Sequence, residues 1–206
     1  MPLSAPLIEP DPNRRVRILL AAERAFARHG FHGASMQHVA AEAKMSAGNL
    51  YRYFGSKEAI VSGLAERDQA ALTEDFGGLA ASRDILGSVE GLLRKHLVDE
   101  PIERGQLCLE IWAEAARNEA VAQLCLHMEA EIRARLEDVM AAGGLGERRA
   151  EFAARVMLTV VTGLLKRRAI DPDFDGEAEV ALALGVFRAL LDGSVKPYRA
   201  EMELPA

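Results

Sequence analysis

From Ile18 to Ile60 the chain reads ILLAAERAFARHGFHGASMQHVAAEAKMSAGNLYRYFGSKEAI, and its apolar positions fall into three short helical repeats. Gly30 and Gly33 part the first repeat from the second, and Lys44 to Ser46 part the second from the third. Gly55 and Ser56 end the third. The spacing predicts helices near 13–29, 36–43 and 47–53. The last is only about two turns long and ends in Tyr51, Arg52, Tyr53 and Phe54. So short and aromatic an element is poorly suited to be a core helix by itself. It suits a recognition helix held out toward the phosphates of a DNA duplex.

Past residue 57 the pattern stays helical. Ser56 can cap a helix over 57–76, which Gly77 and Gly78 stop. Ser82 can cap the next, over 82–99, with Pro101 as its breaker. Further helices are predicted at 102–116, 119–142, 147–169 and 176–192, parted by Asn118, by Gly143, Gly144 and Gly146, and by the turn DPDFDG. Strand alternation is weak, so the predicted class is all-α, with about nine helices. From Phe152 to Leu165 apolar residues nearly encircle the helix. The helix at 176–192 is similar, with Val180, Leu182, Leu184, Val186, Phe187, Leu190 and Leu191. Helices apolar all round are buried on more than one side. Gly163 and Gly185 allow close helix approach. Two such helices from each of two chains can form a four-helix dimer interface. Central helices of a monomer are the other reading, and the dimer is preferred.

The formal net charge of −6 is unfavourable for a DNA binder until it is divided along the chain. Residues 1–57 hold eight Lys and Arg (Arg14, Arg15, Arg17, Arg24, Arg28, Lys44, Arg52, Lys57) against four acids (Glu9, Asp11, Glu23, Glu42). The remainder is acidic. This asymmetry points to a basic nucleic-acid module on an acidic body, with chance variation between solvated faces as the bland alternative. The opening MPLSAPLIEPDPNRR has four prolines and no apolar run long enough for a signal peptide, so it is expected to be a mobile arm. Val156 to Leu165 is too short to span a bilayer. Cys108 and Cys125 make no disulfide framework. A soluble, cytosolic protein with no membrane partner is expected.

With Leu50 set inward, Ala47 and Phe54 fall on its side of the third helix, at about 100° per residue. Leu50 and Phe54 then pack on Ala22, Phe26, Val39 and Ala40. Gly48, Asn49, Tyr51 and Arg52 remain outside. Glycine within a helix is unfavourable by about 1 kcal/mol relative to alanine, so its use there is close approach to another surface. The Asn49 amide can read an adenine edge through two bonds. Ser35 is a natural cap for the second helix, and Gln37 one turn in is a candidate base reader. Ser56 and Lys57 open the fourth helix, where free amides and an ammonium together can clamp a phosphate. Arg14, Arg15 and Arg17 can add backbone or minor-groove contacts from the arm.

Residues 18–60 resemble the DNA-binding domain of the tetracycline-repressor (TetR) family. The family pattern is met by Ala21, Ala22, Phe26, Gly30, Ser35, Val39, Ala40, Leu50, Tyr51, Phe54 and Lys57. The resemblance implies an arm at 1–12, a helix-turn-helix DNA-binding domain at 13–57, and a ligand-binding and dimerisation domain at 58–200. It implies a homodimeric repressor on a palindromic double-stranded operator, joined through the last two helices and released by a small-molecule effector. By position, Ser35, Tyr51, Tyr53 and Lys57 are implied to touch phosphates or sugars. Gln37, Ala47, Gly48 and Asn49 are implied to face bases, and Tyr51 also a thymine methyl. The chain departs from the pattern twice. Lys44 stands where the turn usually has glycine, which is unfavourable if φ there is positive. Ala47 stands where many relatives carry a longer side chain, which shifts weight toward shape readout.

Residues 109–121, LEIWAEAARNEAV, resemble a C-terminal domain type found in part of the family, including choline-responsive regulators. Trp112 can line a pocket or the core. His96, Glu110 and His127 are polar residues on apolar helices and can orient a ligand, although each alone is more often exposed or a satisfied core group. Cys125 and His127 sit two apart on a helix and point away from each other, a poor metal pair. No metal or cofactor is expected. No G-x-S-x-G, H-E-x-x-H, P-loop or G-x-G-x-x-G occurs, and an enzyme is not expected. The alternative function is a DNA-binding regulator with no small-molecule effector, controlled by a protein partner or by concentration.

Overall fold

The computed structural model describes residues 12–196. Among them the chain forms nine helices and no strand. They are α1 (Pro12–Gly33), α2 (Met36–Glu42), α3 (Ala47–Tyr51), α4 (Lys57–Phe76), α5 (Ile85–Arg94), α6 (Ile102–Ala115), α7 (Glu119–Ala142), α8 (Glu147–Ile170) and α9 (Gly176–Asp192). A π-helical turn, Lys95–Asp99, continues α5 and is closed by the Glu100 N–H on the Lys95 carbonyl at 3.0 Å. Residues 1–11 of the expected arm lie outside the described residues. Because α1 begins at Pro12, Arg14, Arg15 and Arg17 stand on its first turns and not on an arm.

Side chains close most of the helix starts, as their sequences predict. Ser35, Ser46 and Ser56 each accept from the amide three residues on at 3.2 Å, and Asn118 accepts from Val121 at 3.4 Å. One cap moves. Asp84, not Ser82, caps α5, taking the Gly87 N–H at 2.9 Å. The Ser82 hydroxyl serves the turn before it, accepting from the Asp84 N–H and the Ser88 hydroxyl. Gly30 breaks α1 with φ 67 and ψ 155, and one further turn runs to Gly33.

Two cores form. The first joins Ile18, Phe26, Val39, Leu50 and Phe54 to Ile60, Val61 and Leu64 of α4, and also to Leu107 of α6 and Val121 of α7. The second gathers the end of α4, α5 and α7–α9 around Leu97, Met140, Met157, Phe187 and Leu190. Arg168 of α8 is buried and donates to the Glu100 carbonyl. On α9, Val180, Ala183, Phe187 and Leu190 face inward, while Leu182 is 53 % exposed. Side chains at Gly163 and Gly185 would meet nothing within 4 Å, so both glycines open outward.

Candidate nucleic-acid interface

The reading head begins with a reciprocal cap. Ser35 Oγ accepts from the His38 N–H at 3.2 Å, and His38 Nδ1 accepts from the Ser35 N–H at 3.3 Å. The His38 ring stacks on His29 with centroids 4.2 Å apart. This capping box uses histidine in the place usually held by Glu or Gln, which is why the sequence reading missed it. Between α2 and α3, Met45 donates to the Ala40 carbonyl at 2.9 Å and Lys44 to the Ala41 carbonyl at 3.1 Å. That pair of bonds closes a helix through a left-handed residue. The residue is Lys44, at φ 54, so the unfavourable turn expected from the missing glycine is present.

On α3, Leu50 is wholly buried and Phe54 just beyond it is 2 % exposed. Both lie in one core with Ala22, Phe26, Val39 and Ala40, as the helical period predicts. Gly48, Tyr51 and Arg52 are exposed and Asn49 half-exposed, with Gln37 exposed on α2. A side chain at Gly48 would meet nothing within 4 Å, so no internal packing calls for glycine there. Ala47 and Tyr53 are half-buried against the core. Lys57 donates to the carbonyls of Phe31 at 2.9 Å and His32 at 3.2 Å, with its ammonium 4.8 Å above the Phe31 ring. Carbonyls leave its charge unneutralised, and an ammonium has three donors.

Several basic residues around the head are engaged. Arg24 and Arg28 bond Glu42 at 2.7 and 2.8 Å, and the Arg24 bond holds the Glu42 carboxyl below its ordinary range. Arg15 pairs with Glu66 at 2.8 Å and covers the Phe54 ring at 4.7 Å.

The model of bacterial regulatory proteins of the tetR family matches residues 18–64, the segment that builds this head. That of the BetI-type transcriptional repressor C-terminal domain matches residues 88–193. The regulator UidR of Escherichia coli K12 is 31 % identical over 195 residues, covering 87 % of this chain and 91 % of its own. The chain belongs to the TetR family. It is a DNA-binding transcriptional regulator and not an enzyme. The structure of Salmonella enterica GusR superposes with a TM-score of 0.74 at 28 % identity, covering 90 % of this chain and 98 % of its own. A SmeT–triclosan complex shares the fold, with a TM-score of 0.73 at 19 % identity over 94 % of this chain and all of the other.

In this TetR-family chain the polar candidates of the C-terminal half do not converge. His96 lies between Glu100, 3.1 Å from Nδ1, and Asp75, 3.8 Å from Nε2. It belongs to a run of charges that continues through Arg104 and Asp68 to Arg67 and Glu23 on α1. Glu110 accepts from the backbone N–H of Phe31 at 2.9 Å. Trp112 is 36 % exposed. His127 stands 3.4 Å from Glu131 with most of its ring in solvent. Clefts open at two places among the described residues. One, of about 260 Å³, lies between α1, α6 and the end of α8 beside Glu110. The other, of about 210 Å³, lies between α4 and α7 beside His127 and Glu131. No helix among the described residues is long and apolar enough to cross a membrane.

Proposed function

We propose that two copies of this chain, joined through α8 and α9, repress transcription by binding a palindromic operator, and that a small-molecule effector releases them. The outward-opening Gly48 carries the reading. It sits on a helix whose opposite side is sealed by Leu50, beside Asn49 and Arg52, where a groove wall can approach the backbone. In this reading Gln37, Ala47, Gly48 and Asn49 face bases. Ser35, Tyr51, Tyr53 and Lys57 position the head on phosphates. The dimer is supported by the exposed Leu182 and by Gly163 and Gly185 opening on the same two helices. Selection of bound DNA from a random pool tests the whole. An inverted repeat is expected, and a single unrepeated half-site contradicts it. Leu182→Glu should yield monomers by light scattering.

The effector half of the proposal draws support from a fold that, in SmeT, holds triclosan. Of its candidate contacts, Glu110 lines the first cleft and His127 the second, while His96 and Trp112 line neither. A second reading, regulation without an effector, is favoured by one observation. Clefts of about 260 and 210 Å³ fall below the size of ordinary ligand pockets, roughly 300–1,000 Å³. A compound screen on the recovered operator separates the two.

A further inference from the structure

We infer that Glu110 is the positioning residue through which the C-terminal half fixes the angle of the reading head, and hence the half-site spacing that the protein accepts. The spacing part rests on the homodimer proposed above; the angle part does not.

Gly30 lies three residues before the end of α1. Its φ of 67 and ψ of 155 interrupt α1, so the turn that follows begins with backbone amides that have lost their helical acceptors. Helix starts are normally closed by a side chain just before them. Here the acceptor comes from 79 residues away, where Glu110 Oε2 on α6 takes the Phe31 N–H at 2.9 Å. A side chain at Gly30 would meet that same oxygen at 3.2 Å. Glycine therefore serves twice, by adopting the left-handed conformation and by leaving room for the carboxylate.

The other side of the turn is held as firmly. Lys57 Nζ, at the start of α4, donates to the carbonyls of Phe31 and His32. The Phe31 side chain is 1 % exposed and meets Phe26 edge-on at 5.1 Å. The Ala34 N–H closes the turn on the Gly30 carbonyl at 3.0 Å, and Ser35 then caps α2. Residues 31–34 thus form a short rigid wedge. Its carboxylate contact comes from α6, and the reading head follows directly from it. Farther up α1, Glu23 is tied to Arg67 of α4 and Arg104 of α6. Those ties hold the middle of α1 against the C-terminal half. The Glu110 contact holds the end next to α2, where a small displacement becomes a tilt of α2 and α3. Any shift of α6 moves Glu110, and the amide it holds moves with it.

Removing the acceptor should loosen the wedge while leaving both cores intact. Spin labels on Ala41→Cys and Ala130→Cys, exposed sites on α2 and α7, read the angle within one chain. They are placed in a Cys108→Ala, Cys125→Ala background and diluted with unlabelled protein. Glu110→Ala should widen the distance distribution measured by double electron–electron resonance. Glu110→Gln should restore it, because its amide oxygen still accepts from Phe31. On operators whose half-sites are moved by single base pairs, Glu110→Ala should lose about tenfold of the preference for the native spacing, the scale of one charge-assisted bond. Glu110→Gln should recover that preference. If Glu110→Ala does not fold, Glu110→Asp, one methylene shorter, should shift the mean label distance. A distribution identical to wild type in the folded variant overturns the inference. A wild-type protein indifferent to spacing overturns the homodimer reading instead, and the label distances still decide the role of Glu110.

Discussion

The two cores differ in what completes them. The second is built from the end of α4, from α5 and from α7–α9, and borrows nothing from α1–α3. The first surrounds the reading head but is finished by Ile60, Val61 and Leu64 of α4, Leu107 of α6 and Val121 of α7. The DNA-reading unit is therefore not a separate body attached to a regulatory one. Part of its interior is supplied by α4, α6 and α7 of the C-terminal half. One longer helix and two short capped ones bury too little apolar surface to offset their own chain entropy, so they depend on that loan.

The largest expected effect breaks this asymmetry outright. A fragment ending at residue 57 lacks all five of those core residues, and circular dichroism should find it unfolded. Cooperative melting of the fragment would make the head self-sufficient. Next is Leu107→Ala, at a site 5 % exposed and far along the chain from the head. It should lower unfolding free energy by about 2–5 kcal/mol and weaken DNA binding as well. Chemical denaturation beside an operator titration measures both.

How much of this was legible in the sequence depends on the range of each interaction. The nine helices, the inward Leu50 and Phe54, the caps at Ser35 and Ser56, and the break at Asn118 follow from residues within one or two turns of each other. The same local rule pointed to Ser82, and lost to Asp84 two residues on, which reaches the Gly87 amide. At Lys44, where the family pattern has glycine, the sequence left two outcomes open, a positive φ or an altered turn, and φ is positive. The membership of Leu107 and Val121 in the first core had no local signal. Neither did the bond from Phe31 to Glu110, because nothing in a helical period tells which polar residue of α6 meets the end of α1. The base and phosphate assignments on α2 and α3 rest on exposure and on family resemblance, and DNA alone can test them.

A smaller effect sharpens the contrast at low pH. Burial would raise the Glu100 carboxyl, but the hydrogen bond to His96 and the charges of His96, Arg104 and Lys95 outweigh it and hold it below its ordinary value of 4.5. A depressed carboxylate stabilises the fold fully above its unfolded value and loses that contribution as pH falls through the folded one. Stability should therefore decline below about pH 4.5, and Glu100→Gln should flatten the decline. An unchanged acid limb would remove this charge cluster from the account. Smaller still is Lys44→Gly. Relieving the left-handed lysine should raise stability by about 0.5–1 kcal/mol, visible as a higher melting temperature with no change in the caps around it.

The central claim is that the outer face of α3 meets DNA, and Gly48→Leu tests it most directly. The site is open, with nothing within 4 Å of an added side chain, and leucine is a far better helix former than glycine. Melting temperature and operator affinity are measured on the same preparation. The account predicts an equal or higher melting temperature together with a loss of operator binding of at least about a hundredfold, as the leucine holds the helix away from the groove floor. Undiminished operator binding by the folded variant would contradict it.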